Sequence, residues 1–172
     1  MPYVGPERVL NSGRLARNIG DRPEWPPTTN GRASSAANHI IPDRAVQNVT
    51  LLRVAHENNL YDFDGADNGV FLPTTPEAAA VARADPDWTQ PTPIHNSGHG
   101  GYSDRVAEIA AEEQAIFESA HDLSLDSLTP ENIEDLPQAV RDDLATTVER
   151  VNIRARELLN EDSDFIEDGI LQ

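Results

Sequence analysis

The chain has 172 residues and a formal net charge of −17, from 30 Asp and Glu against 13 basic residues, a length that suits one domain with room for an appendage. It contains no cysteine, which excludes disulfides, thiolate metal sites and a cysteine nucleophile. No apolar run approaches the ~20 residues of a membrane helix, and the first residues carry no signal-peptide apolar core.

Every basic residue is Arg, and the acid is unevenly spread. Residues 1–107 hold 12 acidic residues and 9 Arg, whereas residues 108–172 hold 18 and 4. A negative field of this size opposes nucleic-acid binding, but it is concentrated in the second half.

Residues 1–34, rich in Pro, Gly, Asn and Arg, read as an extended arm, since Pro lacks the donor that helices and central strands need. A short strand is expected over residues 35–41, stopped by Pro42. Residues 42–59 then look like one helix, with Val46, Val49, Leu52 and His56 at spacings of three or four; His56 reads as a packing residue. "LYDFDGADNGVFLP" predicts a turn and a second strand, with Gly65 and Gly69 giving the turn its freedom. Its carboxylates lack the spacing and terminal Glu of a calcium loop. Residues 74–94 read mostly as loop, with a helical turn through "PEAAAVARA".

A long amphipathic helix is expected from Ser103, with Val106, Ile109, Ala110, Ile116 and Phe117 on its apolar face. Thr129, Pro130 and Glu131 form a helix start. The last helix carries Val140, Leu144, Val148, Val151, Ala155 and Leu158 on one stripe. The expected fold class is α+β, mostly helical: an arm over residues 1–34, a mixed core over 35–121 and an acidic helical extension over 122–172.

The chemistry-bearing residues fall in an order that matters. His39 ends a strand, Asn68 sits in a turn, and His95 and His99 precede a helix. Such a unit can close around one cation. Phosphodiester hydrolysis needs a base for the attacking water and a positive centre for the charge that develops on the phosphate. Histidine, with a pKa of about 6.5, is mostly neutral at pH 7 and suits the base.

Three stretches, "ANHIIP", "LYDFDGADNGVFLP" and "PIHNSGHGGYSDRV", resemble the AHH branch of the HNH nuclease superfamily. The resemblance covers about residues 15 to 110. It implies a ββα-metal core that cuts nucleic acid, DNA before RNA. It also implies a toxin or effector module delivered into a target-cell cytoplasm, with an immunity protein and a secretion or delivery module as partners. His39 matches the family's second His, the general base, and Asn38 the first, a metal ligand. His99 matches the metal-binding His before the final helix, with His95 as its companion at the metal or phosphate. Asn68 matches the middle Asn that orients the metal-finger loop. Tyr102 is a candidate for phosphate contact or for packing. Arg44 is a candidate phosphate contact, with Arg14, Arg17, Arg32 and Arg53, because the guanidinium fork matches phosphate.

The chain departs from the family pattern twice: "HNSGH" places Gly98 directly before His99, one position from the pattern, which leaves open the role of His95, and Asn38 stands in place of the first His. The Asn38 side-chain oxygen suits Mg²⁺ or Mn²⁺ better than Zn²⁺ or Ni²⁺, which favour imidazole. Asn38 is therefore a working oxygen ligand, a natural inactivation or an engineered one. Two other readings stand beside the nuclease. One is a catalytically silent interaction module on the HNH scaffold. The other is a Zn²⁺ hydrolase with His39, His95 and His99 as ligands.

Overall fold

The structure, a computed structural model, describes residues 8–95 and 100–161. It is mostly helical with one small sheet, as the sequence predicts. Strand β1 (Ser35–His39) pairs antiparallel with β2 (Gly69–Pro73), from Ser35 opposite Pro73 to His39 opposite Gly69. Alternation along β2 splits its side chains between two faces. Val70 and Leu72 join the main core, whereas Gly69 and Phe71 face the other way. There Ile19 and Leu15 approach Gly69, and the Arg22 guanidinium lies 5.3 Å from the Phe71 ring centre.

Helix α1 (Ser12–Ile19) lies within the expected extended arm. Asn11 caps it by accepting the Arg14 amide, and Gly20, at φ 103°, ends it. Two carboxylates hold the arm down. Asp43 accepts the Val9 and Leu10 amides, each at 2.8 Å, and Asp64 accepts the Asn11 amide at 2.8 Å.

The single helix expected over residues 42–59 is two, α2 (Asp43–Asn48) and α3 (Thr50–Glu57), broken at Val49, which is extended. The first amides of a helix have no partner inside it. Here the Leu51 amide is taken by Gln114 at 2.9 Å, a residue 63 positions away. Helix α4 (Pro76–Ala84) is longer than the expected turn and starts with Thr75 as cap and Pro76 in the first turn. His56 is half-buried, its ring 5.9 Å from that of Phe63.

Helix α5 (Gly100–His121) is the long amphipathic helix. Val106, Ala110 and Phe117 are buried as expected, but Ile116 is 57% exposed and Glu113 is buried in its stead. The reason lies across the interface in α7 (Gln138–Glu161): Arg150 and Arg154 each donate to Glu113 at 3.0 Å. A buried carboxylate held by two guanidinium groups is tolerated where a lone one would not be. Helix α6 (Pro130–Asp135) begins with a capping box between Thr129 and Asn132.

The acidic helical part closes on the same core as the strands. Leu144, Val148, Val151, Ala155 and Leu159 of α7 are buried in one cluster with Ile40, Val46, Leu52, Val70 and Val106.

Candidate nuclease site

The site grows from the end of β1. Strand pairing places His39 opposite Gly69, and the loop before β2 folds back over the same end. That loop is shaped locally. The Asp64 amide bonds Asp62 Oδ1 at 3.2 Å, the Gly65 amide bonds Asp62 O at 3.0 Å, and a 3-10 turn spans Ala66–Asn68. The result brings Asp64 Oδ1 to 2.9 Å from His39 Nε2, with side-chain exposures of 12% and 9%. An ionised carboxylate accepts and does not donate, so this contact suits a ring that carries its hydrogen on Nε2. His39 Nδ1 takes no hydrogen bond from the described residues.

Asn68 is fully buried and its amide is fully used. Oδ1 accepts the Ile41 amide at 2.7 Å and the Asn152 side-chain amide at 2.9 Å. Nδ2 donates to Phe63 O at 2.8 Å and to Ile41 O at 3.3 Å. Its backbone carbonyl accepts the Ile40 amide at 2.8 Å. Asn68 thus welds the exit of β1 to the entry of β2.

A cavity of about 430 Å³ gathers Asn38, His39, His95, Tyr102, Arg44 and Arg8. Asn38 Nδ2 donates to Ala36 O at 3.0 Å, which leaves Oδ1 without a hydrogen bond among the described residues. The His95 amide bonds Pro73 O at 2.6 Å, which carries its ring back beside the strand pair. Tyr102 is buried, and its hydroxyl donates to Ile40 O at 2.6 Å. Burial holds its pKa well above the ordinary phenol value, so it stays a neutral donor, committed to the backbone and buttressing β1. Arg44 pairs with Asp104 at 3.2 Å, both exposed.

His99 lies outside the described residues. Among the described residues no three His, Cys, Asp or Glu converge as a metal cluster. Asn38 and His95 both line the cavity, and an amide oxygen and an imidazole are donor types that a divalent cation takes.

Two members of the site escape sequence reasoning. Asp64 stands 25 residues from its partner in a loop whose carboxylates point equally well to solvent. Arg8 lines the cavity next to the two amides that Asp43 holds, contacts made across 34 and 33 residues. The remaining candidate cations, Arg14, Arg17, Arg32 and Arg53, are not among the cavity's lining residues.

The model of one protein family matches residues 20–140, well over half of the chain: AHH, a nuclease family of the HNH/ENDO VII superfamily with conserved AHH. The chain belongs to the AHH nuclease family. Its Ala37-Asn38-His39 stands at the end of β1 with Asn where the family name has its first His. No curated protein and no solved structure matches the chain. Among the described residues, no helix is long and apolar enough to cross a membrane.

Proposed function

We propose that this AHH-family chain is a metal-dependent endonuclease that hydrolyses phosphodiester bonds of DNA, with His39 as the base that activates water. The observation that carries it is the meeting of His39, Asn38 and His95 on one cavity with Arg8 and Arg44 at its wall. His39 Nδ1 takes a proton from water as the water oxygen bonds to phosphorus. The bond from phosphorus to the leaving oxygen breaks, and that oxygen is protonated from solvent. Arg8 and Arg44 hold phosphate oxygens by charge-assisted hydrogen bonds. A divalent cation held by Asn38 and His95, with His99 as the family-matched third ligand, would supply positive charge for the phosphate. Mg²⁺ or Mn²⁺ is favoured over Zn²⁺ or Ni²⁺ by the amide oxygen of Asn38. Asn68 positions the corner from which His39 projects.

The toxin or effector role, acting in a target-cell cytoplasm with an immunity protein and a delivery module as partners, rests on the motif resemblance. Co-purification with a small co-encoded protein tests it.

The deciding experiment is plasmid cleavage by this chain, Asn38→His and His39→Ala across Mg²⁺, Mn²⁺, Zn²⁺ and Ni²⁺. Cleavage by the first two and not by His39→Ala supports the full reading with Asn38 as a ligand. Cleavage by Asn38→His alone means that the ligand set of this chain is incomplete. A specific observation favours a second reading, a silent interaction module: Asn occupies the position of the family's first His on a chain of net charge −17. Such a module shows no thermal shift with any of the four metals, because a ligand that binds only the folded state must stabilise it.

A further inference from the structure

We propose that Asp64 is a positioning residue of the nuclease site: its carboxylate fixes the His39 ring as the Nε2–H tautomer and leaves Nδ1 to take the proton from water. The inference rests on the reading of His39 as the base. Its ground is geometric. Neutral imidazole has one donor nitrogen and one acceptor, and its partner decides which is which. Asp64 Oδ1 lies 2.9 Å from Nε2 in a nearly closed contact.

Asp64 is itself held at three points, its carboxylate by one bond and its backbone by two. Oδ1 accepts the Asn11 amide at 2.8 Å, the Asp64 amide is tied to Asp62 Oδ1 at 3.2 Å, and Asp64 O accepts Asn18 Nδ2 at 2.8 Å. Two of these anchors come from the arm, so α1 and its cap set the angle at which the carboxylate meets the ring. An unheld surface carboxylate would lose side-chain entropy on meeting a histidine. This one meets it already restrained.

A purely structural Asp64, a staple for the arm through Asn11, predicts different behaviour. Asp64→Asn separates the two. One atom, Oδ1, meets both the Asn11 amide and Nε2; with the NH₂ group of Asn in that place it donates to Nε2 and admits the opposite tautomer, at the loss of the Asn11 bond. Two readouts on the full chain test this. The first is nitrogen-15 NMR of the histidine side chains at a pH well above about 6.5, where neutral rings report their tautomer; the chain has 5 His, and His39→Ala assigns the signal. The second is steady-state cleavage.

The expected result is an Nε2–H ring in the parent chain and a population of Nδ1–H in Asp64→Asn. With it comes a fall in kcat of about 10–100-fold at unchanged KM, the scale known for partners that orient metal-ligating histidines. An Nδ1–H ring in the parent chain overturns the proposal. So does an Asp64→Asn variant with unaltered tautomer and kcat, or one in which only KM or the melting temperature moves. If the parent chain cuts no nucleic acid, the nuclease reading fails, while the NMR comparison still decides whether Asp64 sets the ring.

Discussion

The side-chain amide of Asn152 donates to Oδ1 of Asn68 at 2.9 Å, across 84 positions of chain. One end lies at the corner that orients His39; the other lies on α7, beyond the residues that match the family. The two ends are unequal. Asn68→Ala strands the Ile41 amide and the Phe63 carbonyl in a buried place, at about 1–3 kcal/mol for each unsatisfied group. Asn152→Ala removes one of two bonds to Oδ1 and leaves the Ile41 amide satisfied, a loss of about 1 kcal/mol. Urea midpoints of the two variants are expected to differ severalfold in ΔΔG. Equal losses would mean that the corner is held through α7 alone.

Gly69 tests how tightly α1 is seated behind His39. A Cβ there would meet Ile19 Cγ1 at 2.6 Å, Ile19 Cδ1 at 2.7 Å and Leu15 Cδ1 at 2.8 Å. Gly69→Ala is therefore expected to destabilise by about 1–3 kcal/mol, as overpacking does. Adding Ile19→Ala should return part of that loss. A double variant no better than the sum of the two single ones would show that α1 moves as a body instead of yielding at Ile19.

Arg8 and Arg44 line the cavity, and each is expected to neutralise one phosphate. Changing either to Gln should weaken DNA binding to a similar degree on all sequences and lower the slope of log affinity against log salt by about 1. Arg53→Gln, away from the cavity, serves as the control. An unchanged slope in Arg8→Gln would remove the arm from the substrate path.

The sheet and Asn68 were legible because their signals are local. Pro42 stops one strand, and Asn68-Gly69 turns the chain into the next. The stripe of α7 was legible for the same kind of reason, a period of three and four held over five turns, although Leu159 takes the fully buried place beside the half-buried Leu158. Helix α1 was hidden behind the Pro-rich residues that follow it, even though Asn11 and Gly20 bracket it with ordinary cap chemistry. Ile116 and Glu113 exchanged roles because burial on α5 is set by where Arg150 and Arg154 of α7 reach, which no periodicity in α5 records. The same holds for Asp64: the contact that matters is made across 25 residues by the folding of a loop, and a carboxylate in "YDFDGAD" carries no mark of which oxygen will meet His39.

Synthesis runs from the N-terminus, so Asn38, His39, Asn68 and His95 leave the ribosome well before Leu144, Val148, Val151 and Leu159. These four side chains, at roughly 1.5–3 kcal/mol each when fully buried, carry together about as much as the ~5–15 kcal/mol by which a typical domain is stable. A nascent chain thus displays the candidate site residues without the packing that arranges them. Assembly of the site waits until α7 has been made, so the order of synthesis separates the making of these residues from their arrangement.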